Sequence, residues 1–261
     1  MKPVLTIVKF GGKIIDQPLE LEKALKAFSS LPNPKILVHG GGTMASSMME
    51  KMGLEAVMIE GRRVTDEATL DVVVMVYAGL INKKIVASLQ ALNNNALGLS
   101  GADMNLIQAH KRIVKDIDYG FAGDVDSINT NALEKLLLDG VVPVFCPITH
   151  NNEGQLLNTN ADTIAAVIAA AMANSHEVHL VYTFEKKGVM KNLETEEVFE
   201  EINTILYSQY VDTGILSGGI LPKLDNAFDS VKKGVEKVVI CHHEALAKWG
   251  HEEFDGTTIV K

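Results

Sequence analysis

Cysteine is scarce in this chain, whose two cysteines, Cys146 and Cys241, lie far apart in the sequence. Cysteine-rich zinc sites usually take their ligands in close pairs, and disulfide frameworks need several cysteines. The sequence therefore predicts a reduced protein without a cysteine metal centre, which points to the cytoplasm.

Positive charge is also in short supply. The chain has 24 Lys and Arg against 33 Asp and Glu, a formal net charge of −9. Nucleic acids and anionic membrane surfaces attract clustered Lys and Arg. We therefore expect neither as a partner.

Long apolar runs are missing as well. The longest, TIAAVIAAAMA at 163–173, is shorter than the roughly 20 residues that span a bilayer. VLTIV at 4–8 is too short for the apolar part of a secretory signal. We expect a protein without a membrane span, with 163–173 as a buried helix.

What the chain does have is a regular alternation of apolar strand patterns and amphipathic helix patterns. The strand patterns are VLTIVKF, KILVH, VVPVF, EVHLVYT and KVVIC, and residues 105–130 read as a further strand and hairpin. Alternating units of this kind predict an α/β fold, a three-layer αβα sandwich with a mainly parallel central sheet. Ligands bind such sheets at the carboxyl ends of the strands.

Residues 66–81 predict a long helix with Asp66 as its N-cap. An apolar stripe at regular helical spacing consists of Leu70, Val73, Val74, Tyr77, Leu80 and Ile81, with Met75 and Val76 off the stripe. Deep burial and a subunit interface both fit this pattern.

Two glycine clusters follow strands directly, in VKFGGK and VHGGGTM. Backbone N–H groups of such turns approach anions closely because no Cβ intervenes, and a following helix adds a favourable dipole. A tight packing turn explains the glycines equally well. Lys9 strengthens the anion interpretation, because a lysine inside an apolar strand is costly without a negative partner.

Three more segments carry polar groups of the same kind. Lys223 falls in the first turn of a helix, where a cation is unfavourable unless an anion lies nearby. Asn158 and Asp162 precede an apolar helix, for which Asp162 is a candidate N-cap. Arg62 and Arg63 are adjacent, and arginine is the usual bidentate partner of a carboxylate. Each residue also fits an ordinary solvent-exposed role.

Taken together and in this order, VKFGGK, VHGGG, RRVTD, GDV, LLNTNADTIAA and GGILPKL resemble the motifs of the amino-acid kinase family, over nearly the whole chain. The similarity is greatest to the branch that phosphorylates N-acetyl-L-glutamate in arginine biosynthesis. It implies one domain over 1–261, in which 1–176 carries the acyl-amino-acid site and the dimer interface and 177–261 carries the nucleotide site.

The resemblance assigns roles to the matching charged residues. Lys9 and Lys223 contact the transferring phosphoryl group, and Asp162 holds both lysines in place. Arg63 and Asn158 bind the α-carboxylate of the substrate. No general base is needed, because a glutamate carboxylate, with a pKa of about 4.3, is already ionised at neutral pH.

The glycine turns supply the remaining contacts that the resemblance implies. Substrate contacts fall to Gly41 and Gly42, and phosphate or nucleotide contacts to Gly11, Gly12, Thr183, Gly188, Gly218 and Gly219. The partners are ATP with Mg²⁺, the metal held through ATP and water, and a small-molecule N-acyl-glutamate.

The chain departs from the family pattern in the nucleotide segment, YTFEKKGVM, where Phe184 replaces an aspartate. It also carries Arg62 where an apolar residue is usual, which motivates the hypothesis of a second substrate carboxylate, as in N-succinylglutamate. An exposed arginine is the simpler interpretation.

Arginine-inhibited members of the family carry an extra N-terminal helix. Here the first strand begins at about Pro3, which predicts a homodimer insensitive to arginine. Another kinase of the family and a non-catalytic nucleotide or metabolite sensor on the same fold stay open as alternatives.

Overall fold

The computed structural model of the chain describes residues 2–59, 61–114, 116–192, 195, 197–216, 220–250 and 254–261. Within these ranges, eight strands form the central sheet. In spatial order they are β14 (Glu201–Ile202), β16 (Thr257–Ile259), β15 (Lys237–His242), β11 (Glu177–Phe184), β1 (Val4–Phe10), β2 (Lys35–His39), β8 (Val142–Phe145) and β5 (Ala96–Leu99). Neighbouring strands run parallel except for β15 and β16, so the mainly parallel sheet is confirmed.

Helices cover both faces of this sheet and complete the αβα sandwich. One hydrophobic cluster packs the first face against α6 (Thr130–Leu138), α7 (Ala161–Met172), α8 (Thr204–Asp212) and α9 (Leu221–Lys232). A second cluster packs the other face against α1 (Gly12–Asp16), α2 (Pro18–Ser30), α3 (Gly42–Lys51), α4 (Glu67–Val74) and α5 (Asn82–Ala91).

The alternation of side chains along β1 decides which layer each residue meets. Leu5 and Ile7 belong to the cluster with α7 and α9, whereas Val8 and Phe10 belong to the cluster with α2 and α3. Lys9 has the parity of Leu5 and Ile7. Its ammonium therefore lies in the layer of α7 and α9.

Smaller sheets flank the carboxyl edge of the main sheet. One has the order β10 (Leu156–Asn158), β9 (Ile148–His150), β6 (Ile107–Lys111) and β7 (Gly123–Ile128). The antiparallel pair of β6 and β7 confirms the strand and hairpin predicted over 105–130. Two short pairs join β3 (Met58–Ile59) to β4 (Arg62–Arg63) and β12 (Met190–Asn192) to β13 (Glu197–Val198).

The helix predicted to start after Asp66 is present, and the Asp66 carboxylate accepts a hydrogen bond from the Thr69 N–H at 2.8 Å. Its apolar stripe was predicted wrongly in part, because residues 75–81 between α4 and α5 form a π-helix. The wider π turn, with i to i+5 bonds, rotates the later side chains. Val76 is therefore buried, and Leu80 is exposed.

In the described part of the chain, residues 67–91 form one helical run that is long and apolar enough to cross a membrane by length and composition. A search for unbroken apolar letters overlooks it because Asp71 and Asn82 interrupt them. In this fold 44% of its most apolar window is buried. Core helices of soluble proteins meet the same criterion, so the run is weak evidence for a membrane span.

Candidate active site

Three charged residues meet at the carboxyl end of β1. Lys9 Nζ lies 2.7 Å from Oδ1 of Asp162, and Lys223 Nζ lies 3.0 Å from Oδ2 of the same carboxylate. The three residues predicted as catalytic are therefore brought together, with one carboxylate between two ammonium groups. The cluster carries a net charge of +1 and suits a polyanionic ligand.

Local structure explains how distant segments reach this point. Lys9 extends from β1, whereas Asp162 and Lys223 lie in the first turns of α7 and α9. The N-cap of α7 is Asn160, whose side chain accepts hydrogen bonds from the N–H groups of Asp162 and Thr163 at 2.7 and 3.2 Å. Of the two interpretations of Asp162, the helix cap is therefore excluded. Since Asn160 caps the helix, the Asp162 carboxylate is free to pair with the lysines.

Burial and charge act in opposite directions on these groups. Burial raises the pKa of Asp162, but the charges of Lys9 and Lys223 outweigh it and bring the pKa to about 2. Burial lowers the pKa of Lys9 below its usual value, and the ion pair with Asp162 offsets part of that effect. Asp162 is thus an anion at neutral pH that stabilises the charged form of a buried lysine.

The two predicted glycine turns lie side by side next to this cluster. Gly11 and Gly41 precede α1 and α3, and a Cβ placed on Gly12 would be 4.0 Å from the backbone nitrogen of Gly42. Two helix N-termini therefore lie close together, with N–H groups available for anions. Gly11 also packs closely on β11, since a Cβ there would be 3.2 Å from the Thr183 carbonyl oxygen.

Gly41 tolerates no side chain, for two reasons. Its φ of +151° is one that residues with a Cβ rarely adopt, and a Cβ would overlap Ile81 Cδ1 and lie 3.2 Å from Tyr77 Cδ1. We expect Gly41→Ala to lower the free energy of unfolding by about 2 kcal/mol and to weaken binding at the turn.

Gly53→Ala is the matched control for urea unfolding of Gly41→Ala. Gly53 also has a positive φ, +73°, but a Cβ there meets nothing within 4 Å. It should show only the cost of a left-handed backbone with a Cβ, about 1 kcal/mol. Equal losses in the two variants would contradict the steric argument.

Arg63 and Asn158, predicted to grip a carboxylate, lie at either end of one hydrogen-bonded chain. Asn158 Nδ2 donates to Thr65 Oγ1 at 3.0 Å, and Thr65 Oγ1 donates to the Arg63 carbonyl at 3.0 Å. The buried Arg63 guanidinium donates to the Gly42 carbonyl at 2.9 Å and to Ser46 Oγ at 2.8 Å. These hydrogen bonds fix the Arg63 side chain beside the glycine turn that precedes α3.

Arg62, next to it on β4, is exposed. Its charge acts on Asp124 of β7, whose carboxylate is held by Arg112 with Nε 3.1 Å from Oδ2. The Arg112 hydrogen bonds lower the pKa of Asp124, and Arg62 adds to this effect. Arg112 is therefore the direct partner of Asp124, and Arg62 contributes through its charge alone.

The predicted nucleotide residues are partly placed. Thr183 is buried on β11 and donates to the Lys9 carbonyl at 2.9 Å, so its hydroxyl braces the strand that carries Lys9. Gly188 is packed against Thr257. Gly218 and Gly219 lie outside the described residues. Phe184 has its ring 6.0 Å from Lys223 Nζ.

Sequence reasoning missed the positioning role of His39. Its Nδ1 donates to the Gly40 carbonyl at 2.8 Å, and its Nε2 accepts from Asn82 Nδ2 at 3.1 Å. Burial lowers the pKa of His39 to about 4, so the ring is neutral at pH 7. The polar residue just before the glycines was the available signal, but its partner Asn82 lies 43 residues away.

The chain matches the amino acid kinase family over residues 4–242. Acetylglutamate kinase of Bacteroides fragilis is 46% identical, with 100% of this chain and 98% of the relative covered. Acetylglutamate kinase of Parabacteroides distasonis is 49% identical over 90% of this chain and 93% of the relative. Carbamate kinase from Giardia lamblia, in a structure bound to AMP-PNP, shares the fold with a TM-score of 0.71 at 15% identity, covering 100% of this chain and 99% of that one.

Proposed function

The chain belongs to the amino acid kinase family, and we propose that it transfers the γ-phosphoryl group of ATP to the side-chain carboxylate of N-acetyl-L-glutamate in arginine biosynthesis. The observation that carries this proposal is the Lys9–Asp162–Lys223 cluster beside two glycine turns, in a chain 46% identical to an acetylglutamate kinase.

The reaction brings two anions together, which repel each other. The fixed positive charges of Lys9 and Lys223 offset this repulsion. A carboxylate nucleophile is already ionised at neutral pH, so no base has to remove a proton. His39 is neutral, and both its ring nitrogens are already hydrogen-bonded. Catalysis then consists of positioning and of stabilising charge on the transferring group.

Lys9 and Lys223 share one carboxylate, and this spacing suits contact with the transferring phosphoryl group from two sides. Asp162 acts as a positioning residue that holds both ammonium groups and stabilises the charged form of Lys9. Backbone N–H groups at Gly11 and Gly12 bind phosphate oxygens, and those at Gly41 and Gly42 bind the side-chain carboxylate of the substrate.

Arg63 and Asn158 bind the α-carboxylate of the substrate. Support comes from two sets of hydrogen bonds: Thr65 joins the Asn158 side chain to the Arg63 backbone, and Gly42 and Ser46 hold the Arg63 guanidinium. We assign the acyl-amino-acid site to residues 1–176 and the nucleotide site, with Thr183 and Gly188, to residues 177–261.

Magnesium accompanies ATP in this proposal. Both oxygens of Asp162 already pair with lysines, so this carboxylate is not available as a metal ligand. We therefore expect ATP oxygens and water to hold the metal. When bound, the ion neutralises charge on the phosphates. The two buried free cysteines fit a reducing compartment, and we place the protein in the cytoplasm.

The test is a coupled ADP assay with N-acetyl-L-glutamate, free glutamate and N-succinyl-L-glutamate. We expect turnover with the acetyl substrate and none with free glutamate. ATP binding without turnover on any of the three would favour the sensor alternative and overturn the proposal.

Arg62 allows a prediction about the acyl end of the substrate. If it pairs with a second carboxylate there, Arg62→Gln should lower kcat/KM for N-succinyl-L-glutamate about tenfold, the loss of one charged contact, and leave the acetyl substrate unaffected. Lys51→Gln, another exposed cation, serves as the control. A wild-type enzyme that clearly prefers the acetyl substrate would identify Arg62 as an exposed residue without this role.

We also propose that two chains associate through the helical run 67–91. Met75 and Leu80 are 53% and 37% exposed on it, and exposed apolar groups on a structured helix suit an interface. Met75→Glu should shift sedimentation from dimer to monomer. Leu138→Glu, at an 86% exposed leucine of α6, should not; a wild-type monomer would contradict the proposal.

A further inference from the structure

A second polar cluster lies where α2 packs near the 3₁₀ segment His243–Lys248, just after β15. Glu20 of α2, together with His243 and Glu244 of that segment, places one ligand atom each within 4.8 Å of one another. The proposed phosphoryl transfer uses none of these residues, so their convergence needs another reason.

His243 is the unusual member of this cluster. It is 2% exposed, and in the described structure neither ring nitrogen makes a hydrogen bond of normal geometry. Its Nε2 faces Glu20, with Oε2 at 3.0 Å. A buried imidazole nitrogen therefore lies against a carboxylate, and the other ring nitrogen, Nδ1, has no hydrogen-bond partner in the described structure.

A cation already lies between the two carboxylates. Lys23 Nζ is 3.1 Å from Glu20 Oε1 and 3.3 Å from Glu244 Oε1. The side chain of Lys23 is 55% exposed, so it can move into solvent at little cost. Its ammonium balances the carboxylates but does not satisfy the imidazole of His243.

We propose that Glu20, His243 and Glu244 bind a divalent transition-metal ion in place of the Lys23 ammonium. One imidazole nitrogen and two carboxylate oxygens suit Zn²⁺ or Co²⁺ rather than Mg²⁺ or Ca²⁺, which prefer oxygen ligands alone. Three protein ligands leave a fourth position to water. The ion would join α2 to the segment after β15.

The test uses the full chain, stripped of metal with a chelator and free of nucleotide. Co²⁺ is titrated and followed by its visible absorption, and Zn²⁺ is then added in competition. We expect one Co²⁺ per chain with the intense bands of four-coordinate geometry, displaced by Zn²⁺. Glu20→Gln and Glu244→Gln should each weaken binding at least about tenfold.

Three further variants sharpen the result. Lys23→Met removes the competing ammonium and should tighten Co²⁺ binding several-fold. Glu22→Gln removes the same charge from the same helix, at a residue paired with Lys26 outside the cluster, and should change nothing. His243→Gln should abolish binding, with folding checked by circular dichroism because the residue is buried.

The proposal would be overturned by a wild-type chain without saturable Co²⁺ binding, or by binding that Glu20→Gln and Glu244→Gln leave unchanged. Both glutamates are less buried than His243, so these variants are expected to fold and keep the test decisive.

Discussion

Lys9→Ala should lower kcat for phosphoryl transfer by about 10²-fold or more, the loss seen when a charge-stabilising donor is removed from a buried site. Lys9 is 6% exposed and lies 2.7 Å from Asp162, so no water can replace its charge at the same position. The KM for ATP should change less than kcat, because the contact strengthens as charge develops on the transferring group.

Lys13→Ala is the matched control for Lys9→Ala. Lys13 is equally close to the glycines in the sequence, but its side chain is 72% exposed and pairs with Glu185 at the surface. Its removal should leave kcat close to the wild-type value. A Lys9→Ala variant with near-normal kcat would remove Lys9 from the catalytic role.

Asp162→Ala should cost about 3 kcal/mol of unfolding free energy, because it leaves two ammonium groups close together without their shared anion. It should also lower kcat, since Asp162 holds the ammonium groups of Lys9 and Lys223 in position. Glu185→Ala, which breaks the exposed pair with Lys13, should cost no more than about 1 kcal/mol.

A double variant separates the stability effect from the catalytic one. In Asp162→Ala with Lys9→Met, the buried positive charge is gone as well, so much of the lost stability should return while kcat stays low. Urea unfolding and the ADP assay measure the two quantities. Recovery of both, or of neither, would contradict the proposed charge arrangement.

The effect of Asp162 on stability should depend on pH in a defined direction. Its pKa in the folded protein is about 2, below the ordinary 3.8. A lowered pKa stabilises the fold fully above the unfolded value and loses that effect as the pH falls through the folded one. The stability difference between wild type and Asp162→Ala should therefore be constant near pH 6 and shrink between about pH 4 and pH 2.

Much of the site could be predicted from patterns that are local in the chain. The two-residue period of β1 fixes the layer in which Lys9 lies, and strand–glycine–helix junctions mark the carboxyl edge of the sheet. Asp66 as a cap followed from its place before an apolar helix, and the structure confirms it. Each of these features depends only on residues that are close to one another in the sequence.

The features that could not be predicted depend on distant contacts or on irregular geometry. Helical spacing assumes 3.6 residues per turn, and no local sequence pattern predicts the π-helix in which Leu80 is exposed. The bond between His39 and Asn82 joins a strand end to a helix on the neighbouring layer. Asn160 and Asp162 are both good caps by type, and packing against Lys9 and Lys223 decides between them.

The three charges of the site leave the ribosome at different times. β1 and α7 are synthesised before α9. Lys9 and Asp162 can therefore form an ion pair before Lys223 has been synthesised. Such a nascent pair is electrically neutral and offers little attraction to a polyphosphate. The excess positive charge of the cluster arrives only with α9, so the charge that suits the site to a polyanion is completed late in synthesis.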